Sequence, residues 1–391
     1  MGKRIEKIGS FYEKPEIAYL YFRMPKKLHI VSFNVPYPPD YGGIIDVFYK
    51  IKALAGLNID IYLHAYDYGK GVQDELNKYC KQVFYYKRSY IKGIFSSIPF
   101  TVASRSDDEL LRNLEKIQAP ILFEGLHCTY PLLKSGFKNR KILVRTHNIE
   151  HAYFNGLANS EHSIFKRVFF KLESKKFLPY EKILNKADYI LTISPSEQDH
   201  FQKHFQNKAV YIPAFHQNTS VKKLAEKGNY ALYHGDLRVS DNIKAVHFLI
   251  AVFKGLPFEL IIASSYRNNN ILSDIDKQKN VAFKKIKNQS HLMTLLENAH
   301  INVLPTFQNT GIKLKLINAL YNGRFCLVNN AMVTGTGLQN VCEIANNKEE
   351  FKQKLNKLFN QEFTEANYHK RVEVLQPFEV TKNASKIAEL I

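Results

Sequence analysis

Residues 303–328 read VLPTFQNTGIKLKLINALYNGRFCLV, and this stretch decides the fold. An apolar run ends at Pro305 and a polar loop follows. Thr310-Gly311 opens a segment with apolar residues at 312, 316, 317 and 320, and Gly323 closes it. Phe325 to Val328 then begins another buried strand, so the order is strand, loop, helix, strand. A helix N-terminus in this setting points at whatever lies above the strand ends. Its N–H groups and positive dipole end favour an anion, and Lys313 and Lys315 add charge, which makes a phosphate the natural ligand. An ordinary αβ crossover with solvated lysines fits the same pattern.

The same rhythm extends in both directions. Leu28–Val35 reads as a strand, followed by PYPPDYGG and a helix from Ile44 to about Leu57. Gly42-Gly43 removes side chains at this strand-to-helix turn, where the backbone could approach a ligand closely. Strands follow at Ile59–His64, Val83–Tyr86, Ile121–Glu124, Lys141–Arg145 and Asp188–Ser194. Pro213 to Asn218 breaks the pattern, and a second series starts with Tyr230–His234 and a turn at Gly235-Asp236. Alternating elements of this kind predict parallel sheets covered on both faces, an α/β fold of two Rossmann-like βαβ domains facing each other across a cleft. The expected divisions are an extension outside the fold at 1–23, an N-terminal domain at 24–214, a C-terminal domain at 215–375 and a closing helix at 376–391.

Composition narrows the partners. The 391 residues include 55 Lys plus Arg against 36 Asp plus Glu, a formal charge of +19, which predicts a polyanionic partner such as anionic lipid or a phosphorylated small molecule. No zinc-finger spacing or RNP-like motif supports nucleic acid. Four widely separated cysteines suit free thiols in a reducing compartment, and no window resembles a membrane span or signal peptide, so a cytoplasmic location is expected. Between Ser163 and Asn185, basic residues alternate with bulky apolar ones. That helix could lie on an anionic membrane surface or turn its apolar side to the core.

His147 follows the strand KILVR, where open α/β sheets bind ligands, and could bond a substrate hydroxyl or transfer a proton; a solvated or helix-capping histidine is the plain alternative. His147-Asn148-Ile149-Glu150-His151 also spells the inverted zinc-peptidase motif. That chemistry needs both histidines on one helical face, whereas this segment begins directly after a strand and a turn.

Taken in order, PYPPDYGG, RTHNIEH, ADYILTISPSE, YIPAFHQN, YHGDLRVSDNIKAV and LPTFQNTGIKLKLINALYNGRFCLV span residues 28 to 340 and resemble the GT-B glycosyltransferases of the retaining family 4 type. The resemblance implies a nucleoside diphosphate sugar as donor substrate, no cofactor and no metal, with a saccharide or lipid-linked acceptor in cell-envelope polysaccharide or glycoconjugate synthesis. It places the donor against Gly42, Gly43, Gly235, Arg238, Thr310, Gly311, Ile312, Lys315 and Asn318, makes His147 the catalytic residue that meets the transferred sugar, and puts Tyr41, Asn148 and Glu150 on the acceptor side. The sequence departs from the family pattern at its two glutamates, which fall on Thr310 and Asn318. The usual Arg and Lys after the second domain's first strand correspond to Asp236 and Asp241, leaving Arg238 or Lys315 as substitutes. These departures open a second expectation, a catalytically inactive binding or scaffold protein.

Overall fold

The computed structural model describes residues 25–94, 96–161, 163–224, 227–308 and 313–391. Within them, continuous apolar runs form strands whose two faces are both covered, as parallel sheets require. The first sheet contains β1 (Lys26–Ser32), β2 (Ile59–Asp67), β3 (Gln82–Lys87), β4 (Ile121–Glu124), β5 (Ile142–Arg145), β6 (Tyr189–Thr192) and β7 (Ala209–Tyr211), in spatial order 3-2-1-4-5-6-7. The second contains β8 (Tyr230–His234), β9 (Leu260–Ser264), β10 (Val281–Lys285), β11 (Ala299–Leu304), β12 (Phe325–Val328) and β13 (Glu343–Ile344), in order 10-9-8-11-12-13. All the pairings are parallel; Ile30 sits between Leu63 and Leu122, for example.

Strand order reverses direction between β1 and β4 in one sheet and between β8 and β11 in the other. Connections leaving the carboxyl ends on the two sides of such a point diverge, which opens a crevice. The loops after β1, β4 and β5 therefore face those after β8 and β11 across a cleft between the two sheets.

The chain crosses between the two halves twice. After β7 it passes through residues 212–218 to the second sheet, whose core includes Phe351 and Leu355 from the Lys348–Phe359 helix and Leu375 from the Glu365–Leu375 helix. It then returns. The Val380–Leu390 helix inserts Ala384 and Ile387 among Val47, Leu54 and Ile61 of the first domain, and Lys26 Nζ donates to the carbonyls of Ala388 and Ile391 at 2.6 and 2.9 Å.

One polar chain is buried inside the first sheet. His29 Nε2 donates to the Ile117 carbonyl (3.0 Å), so its Nδ1 must accept from His64 Nε2 (2.9 Å). His64 Nδ1 then accepts from the Tyr86 hydroxyl (2.8 Å), whose oxygen in turn accepts from Asn113 Nδ2 (3.1 Å). The chain works only with both imidazoles neutral. Burial agrees, holding His29 down at about 4 and His64 well below its usual value. In the unfolded chain both imidazoles titrate near 6.5, so the unfolded state binds protons that the folded state refuses. Stability should therefore fall as pH drops from about 6.5 toward 4, by about 1.4 kcal/mol per pH unit for each histidine. Denaturant titrations should show this slope shrinking in His64→Gln; an equal slope in the variant would contradict the neutral pair.

Candidate active site in the interdomain cleft

The cleft encloses about 460 Å³. Four helices begin at its walls, Gly42–Gly56, Glu150–Ser160, Ser240–Phe253 and Leu314–Asn322, and none has a side-chain cap. Elsewhere Asp107, Asn288, Asn347 and Thr364 cap their helices. An uncapped first turn leaves N–H groups for a ligand. Gly43 lets the first of these turns come close to the sheet: a Cβ there would lie 2.9 Å from the Phe33 ring.

On the N-terminal wall, His147 stands just beyond β5 with its ring edge-on to Phe33. Its Nε2 donates to Glu124 Oε2 at 3.1 Å, and Lys50 Nζ donates to Glu124 Oε1 at 2.7 Å. Lys50 also bonds Asp46 Oδ2 (3.0 Å), while Arg145 grips Asp46 through Nε (3.2 Å) and Nη2 (2.9 Å). Lys50, Asp46, Glu124 and Arg145 are all fully buried. Burial alone would raise both carboxyls, but the cations outweigh it: Arg145 and Lys50 hold Asp46, and Lys50 holds Glu124, below the usual carboxylate range. With Glu124 ionised, Nε2 of His147 is committed as a donor. Nδ1, buried and without a protein partner among the described residues, is the nitrogen left for a ligand.

Asp46, Glu124 and His147 offer ligand atoms within 4.8 Å of one another, a spacing that suits a cation. Every carboxylate oxygen there is nevertheless already engaged, by Lys50, by Arg145, by His147 or by the Phe215 amide (2.7 Å to Asp46 Oδ1). A metal would have to displace two buried cations. The inverted zinc motif does not assemble either. His147 turns to Glu124, whereas His151 lies 3.4 Å from Glu181.

The C-terminal wall has the opposite character. Lys313 occupies the N-cap position of the Leu314–Asn322 helix and Lys315 its first turn. Lys315 Nζ donates to Asn242 Oδ1 (2.8 Å) and stands over the Tyr233 ring, while Lys313 Nζ donates to the Gln308 carbonyl (2.9 Å). Asp241, the acidic group that favours their charged forms, spends its oxygens on Thr306 Oγ1 and the Phe307 amide. Burial holds both lysines down at about 8, and for Lys315 the neighbouring charge of Lys313 adds to this. His234, buried behind them at the end of β8, is held at about 3 by burial and by Lys315.

Of the residues singled out from sequence, the cleft brings together Tyr41, Gly42, Gly43, His147, Asn148, Glu150 and Lys315. Thr310, Gly311 and Ile312 lie outside the described residues, and the described helix begins at Leu314 rather than at Thr310-Gly311. Three others sit away from the lining. Gly235 packs beneath Asn242, where a Cβ would approach its side chain to 3.0 Å. Arg238 makes a bidentate pair with Asp236 on an exposed surface, and Asn318 turns to the linker, where its Oδ1 accepts from Asn218 Nδ2 at 3.0 Å. Sequence reading passed over His127, whose Nε2 lies 3.3 Å from Glu150 Oε2 without hydrogen-bond alignment. The rule that selected His147 selects it too, since it follows β4 after a turn in which Gly125 has φ +78°.

A smaller adjoining cavity of about 130 Å³ shares Asn148 and Lys313 with the cleft and contains Glu197. Burial pushes that carboxyl up to about 7. Its role is local. Ser194 Oγ accepts from the Glu197 amide and the Glu197 carboxylate accepts from the Ile193 amide, tying down the start of the Pro195–Phe205 helix.

No protein-family model matches the sequence. A protein of Klebsiella pneumoniae described as an uncharacterized 44.6 kDa protein in the cps region is 26% identical over 332 residues, covering 80% of this chain and 84% of that protein. Among solved structures, a glycosyltransferase from Rickettsia africae superimposes with a TM-score of 0.65 at 15% identity, over 94% of this chain and 99% of that one. A mutant of S. aureus TarM in complex with fondaparinux, alpha-GlcNAc-glycerol and UDP gives a TM-score of 0.65 at 12% identity, over 93% and 99%. The chain thus has the GT-B fold, two Rossmann-like domains with the cleft between them.

The half-buried lysine pair fixes a stability expectation. Below about pH 8 the folded protein bears the cost of charging a half-buried, partly desolvated Lys315 amine, and that cost disappears between pH 8 and the ordinary value of 10.5. Lys315→Met should therefore stabilise the ligand-free protein at pH 7 by up to about 3 kcal/mol, with the gain fading toward pH 10. Thermal melts that show the variant less stable at pH 7 would contradict this.

Proposed function

We propose that the protein is a retaining, metal-independent glycosyltransferase that moves a hexose from a nucleoside diphosphate sugar to a saccharide or lipid-linked acceptor. The carrying observation is the C-terminal wall, which presents two half-buried lysines at an uncapped helix start, opposite an Asp46–Lys50–Glu124–Arg145 cluster whose charges are paired off among themselves. Sugar transfer builds negative charge on the departing diphosphate. Preorganised amines and N–H groups lining the cleft stabilise that charge with little reorganisation. The uncapped turn at Gly42-Gly43 faces the same space, and His147 Nδ1 is placed to hydrogen-bond a sugar hydroxyl.

The GT-B fold and the UDP-bound TarM neighbour support a nucleotide-sugar donor, and the cps-region relative supports cell-envelope polysaccharide or glycoconjugate synthesis. No helix among the described residues is long and apolar enough to cross a membrane. The Ile164–Tyr180 helix exposes Ile164, Phe165, Val168 and Leu172 beside Lys166, Arg167, Lys171 and Lys175, and would rest the enzyme on the anionic inner face of the cytoplasmic membrane.

A second reading, a donor-binding protein without turnover, is favoured by Asn318: at a position where the resemblance expects a glutamate, the side chain faces Asn218 instead of the cleft. A panel of UDP- and GDP-sugars separates the two, since slow donor hydrolysis requires a working site and binding alone does not. Lys315→Met should weaken donor binding about ten- to a hundredfold, the usual worth of a charged phosphate contact. Wild-type affinity should decline as pH rises above about 8, where the lysines lose their protons. Calorimetry showing equal donor affinity in the variant would remove Lys315 from the site. Pelleting with phosphatidylglycerol vesicles that survives Phe165→Ser would count against the membrane face.

A further inference from the structure

The cleft has another cationic corner, on the N-terminal domain, for which the donor site has no use. Arg105 is only 5% exposed and lines the cleft beside Thr101. Its Nη1 donates to the Thr101 carbonyl, and its Nη2 donates to the Phe33 carbonyl (3.2 Å) and to the Tyr68 hydroxyl. Its Nε and the Thr101 hydroxyl are both buried and have no hydrogen-bond partner among the described residues. A buried donor left unmade costs free energy that a ligand would recover.

Arg88 reinforces the corner. Its guanidinium carbon lies 4.5 Å from the centre of the Tyr68 ring and that of Arg105 lies 5.4 Å from it, so two cations share one ring. Arg88 bonds the Ser104 hydroxyl through Nε and Nη2 (3.1 and 2.7 Å). Among the described residues, arginine–carboxylate pairs form at Arg145 and Arg238, not at Arg88 or Arg105. Burial and the nearby charge of Arg105 both work against the charged form of Arg88. The nearby carboxylate of Glu173 is held by the Phe100 amide (2.8 Å) and by Lys176 at 3.7 Å. Two adjacent guanidinium charges, with a spare N–H on Arg105 and a spare hydroxyl on Thr101, suit the oxygens of a phosphate.

Apolar surface begins at the same corner. The Phe100 ring, next to Thr101, touches Tyr90 and Phe169 at centroid distances of 6.3 and 5.7 Å. Beyond them Ile91 is 74% exposed, Ile94 64% and Phe165 90%. Exposure of this extent on neighbouring elements marks a surface that meets something apolar.

We infer that this corner is a phosphate subsite for an acceptor, in which Arg105, Thr101 and Arg88 hold the phosphate or diphosphate of a long-chain lipid whose apolar part lies on the Tyr90–Ile94 and Ile164–Tyr180 helices. The role as acceptor rests on the glycosyltransferase reading; the binding itself does not.

Calorimetry on the full chain tests it with three probes: geranyl diphosphate, inorganic pyrophosphate, and UDP as the reporter of the donor lysines. Geranyl diphosphate should bind the wild type more tightly than pyrophosphate does. Its affinity should fall at least tenfold in Arg105→Gln and severalfold in Thr101→Val, with UDP binding unchanged in both. In Lys315→Met, UDP binding should weaken and geranyl diphosphate binding persist. Should Arg105→Gln melt at a lower temperature, Thr101→Val and Arg88→Gln carry the comparison. The inference is overturned if geranyl diphosphate affinity is unchanged in these variants or if it is lost together with UDP in Lys315→Met. It is also overturned if phosphatidylglycerol vesicles show the same dependence on Arg105, which would make the corner a bilayer-headgroup contact. A wild type that binds geranyl diphosphate through Arg105 but does not bind UDP would support the subsite and sink the transferase reading.

Discussion

A buried quartet of charges, Asp46, Lys50, Glu124 and Arg145, sets the shape of everything on the N-terminal side of the cleft. Its members come from the first helix, the end of β4 and the end of β5. Arg145 extends the network to the carbonyls of Thr192 (3.3 Å), Ile212 and Pro213 (3.2 Å), and Asp46 to the Phe215 amide. One set of ion pairs thereby fastens the helix behind the Gly42-Gly43 turn, the ends of the adjacent strands β4 and β5, and the linker to the second domain. Such a network is a poor source of stability, because desolvating four charges costs about as much as their attraction returns. Its effect is positional. With every oxygen assigned, Glu124 has one way to face His147, and His147 has one nitrogen left for the cleft.

The opposite wall is built on the reverse principle. Lys313 and Lys315 sit near each other and near Asp241, whose carboxylate is bonded to the loop after β11 rather than to either amine. The cost of holding these amines charged is recovered when an anion arrives, so the site gives up stability in the empty state for affinity in the filled one. The arginine corner at Arg105 and Arg88 repeats that design on the N-terminal domain. A formal charge of +19 across the chain adds a long-range pull on anionic ligands toward both.

The parts of this arrangement that were legible in the sequence are the local ones. Continuous apolar strands, glycines at strand-to-helix turns and lysines at a helix start announce themselves within ten residues, as Gly42-Gly43 and Lys315 do. His147 was visible because it immediately follows a buried strand. The quartet was invisible, since Lys50 reaches Glu124 across 74 positions and Arg145 reaches Asp46 across 99. Arg105 was missed because a short helix, Phe100–Ala103, delivers it to the cleft and no strand end announces it. The strands β10 and β13 also escaped, the first half-exposed at a sheet edge and the second two residues long. Asn318 shows the limit of motif alignment: its place in the sequence suggests the ligand, while its packing gives it to Asn218.

The central claim is that a nucleoside diphosphate lies between the uncapped turn at Gly42-Gly43 and the lysines that open the Leu314–Asn322 helix. A crystal structure of the protein soaked with UDP tests this most directly. The account predicts diphosphate oxygens within hydrogen-bonding distance of Lys315 Nζ, with His147 Nδ1 facing the space beyond the terminal phosphate. A diphosphate bound elsewhere, with both lysines still turned to Asn242 and the Gln308 carbonyl, would contradict it.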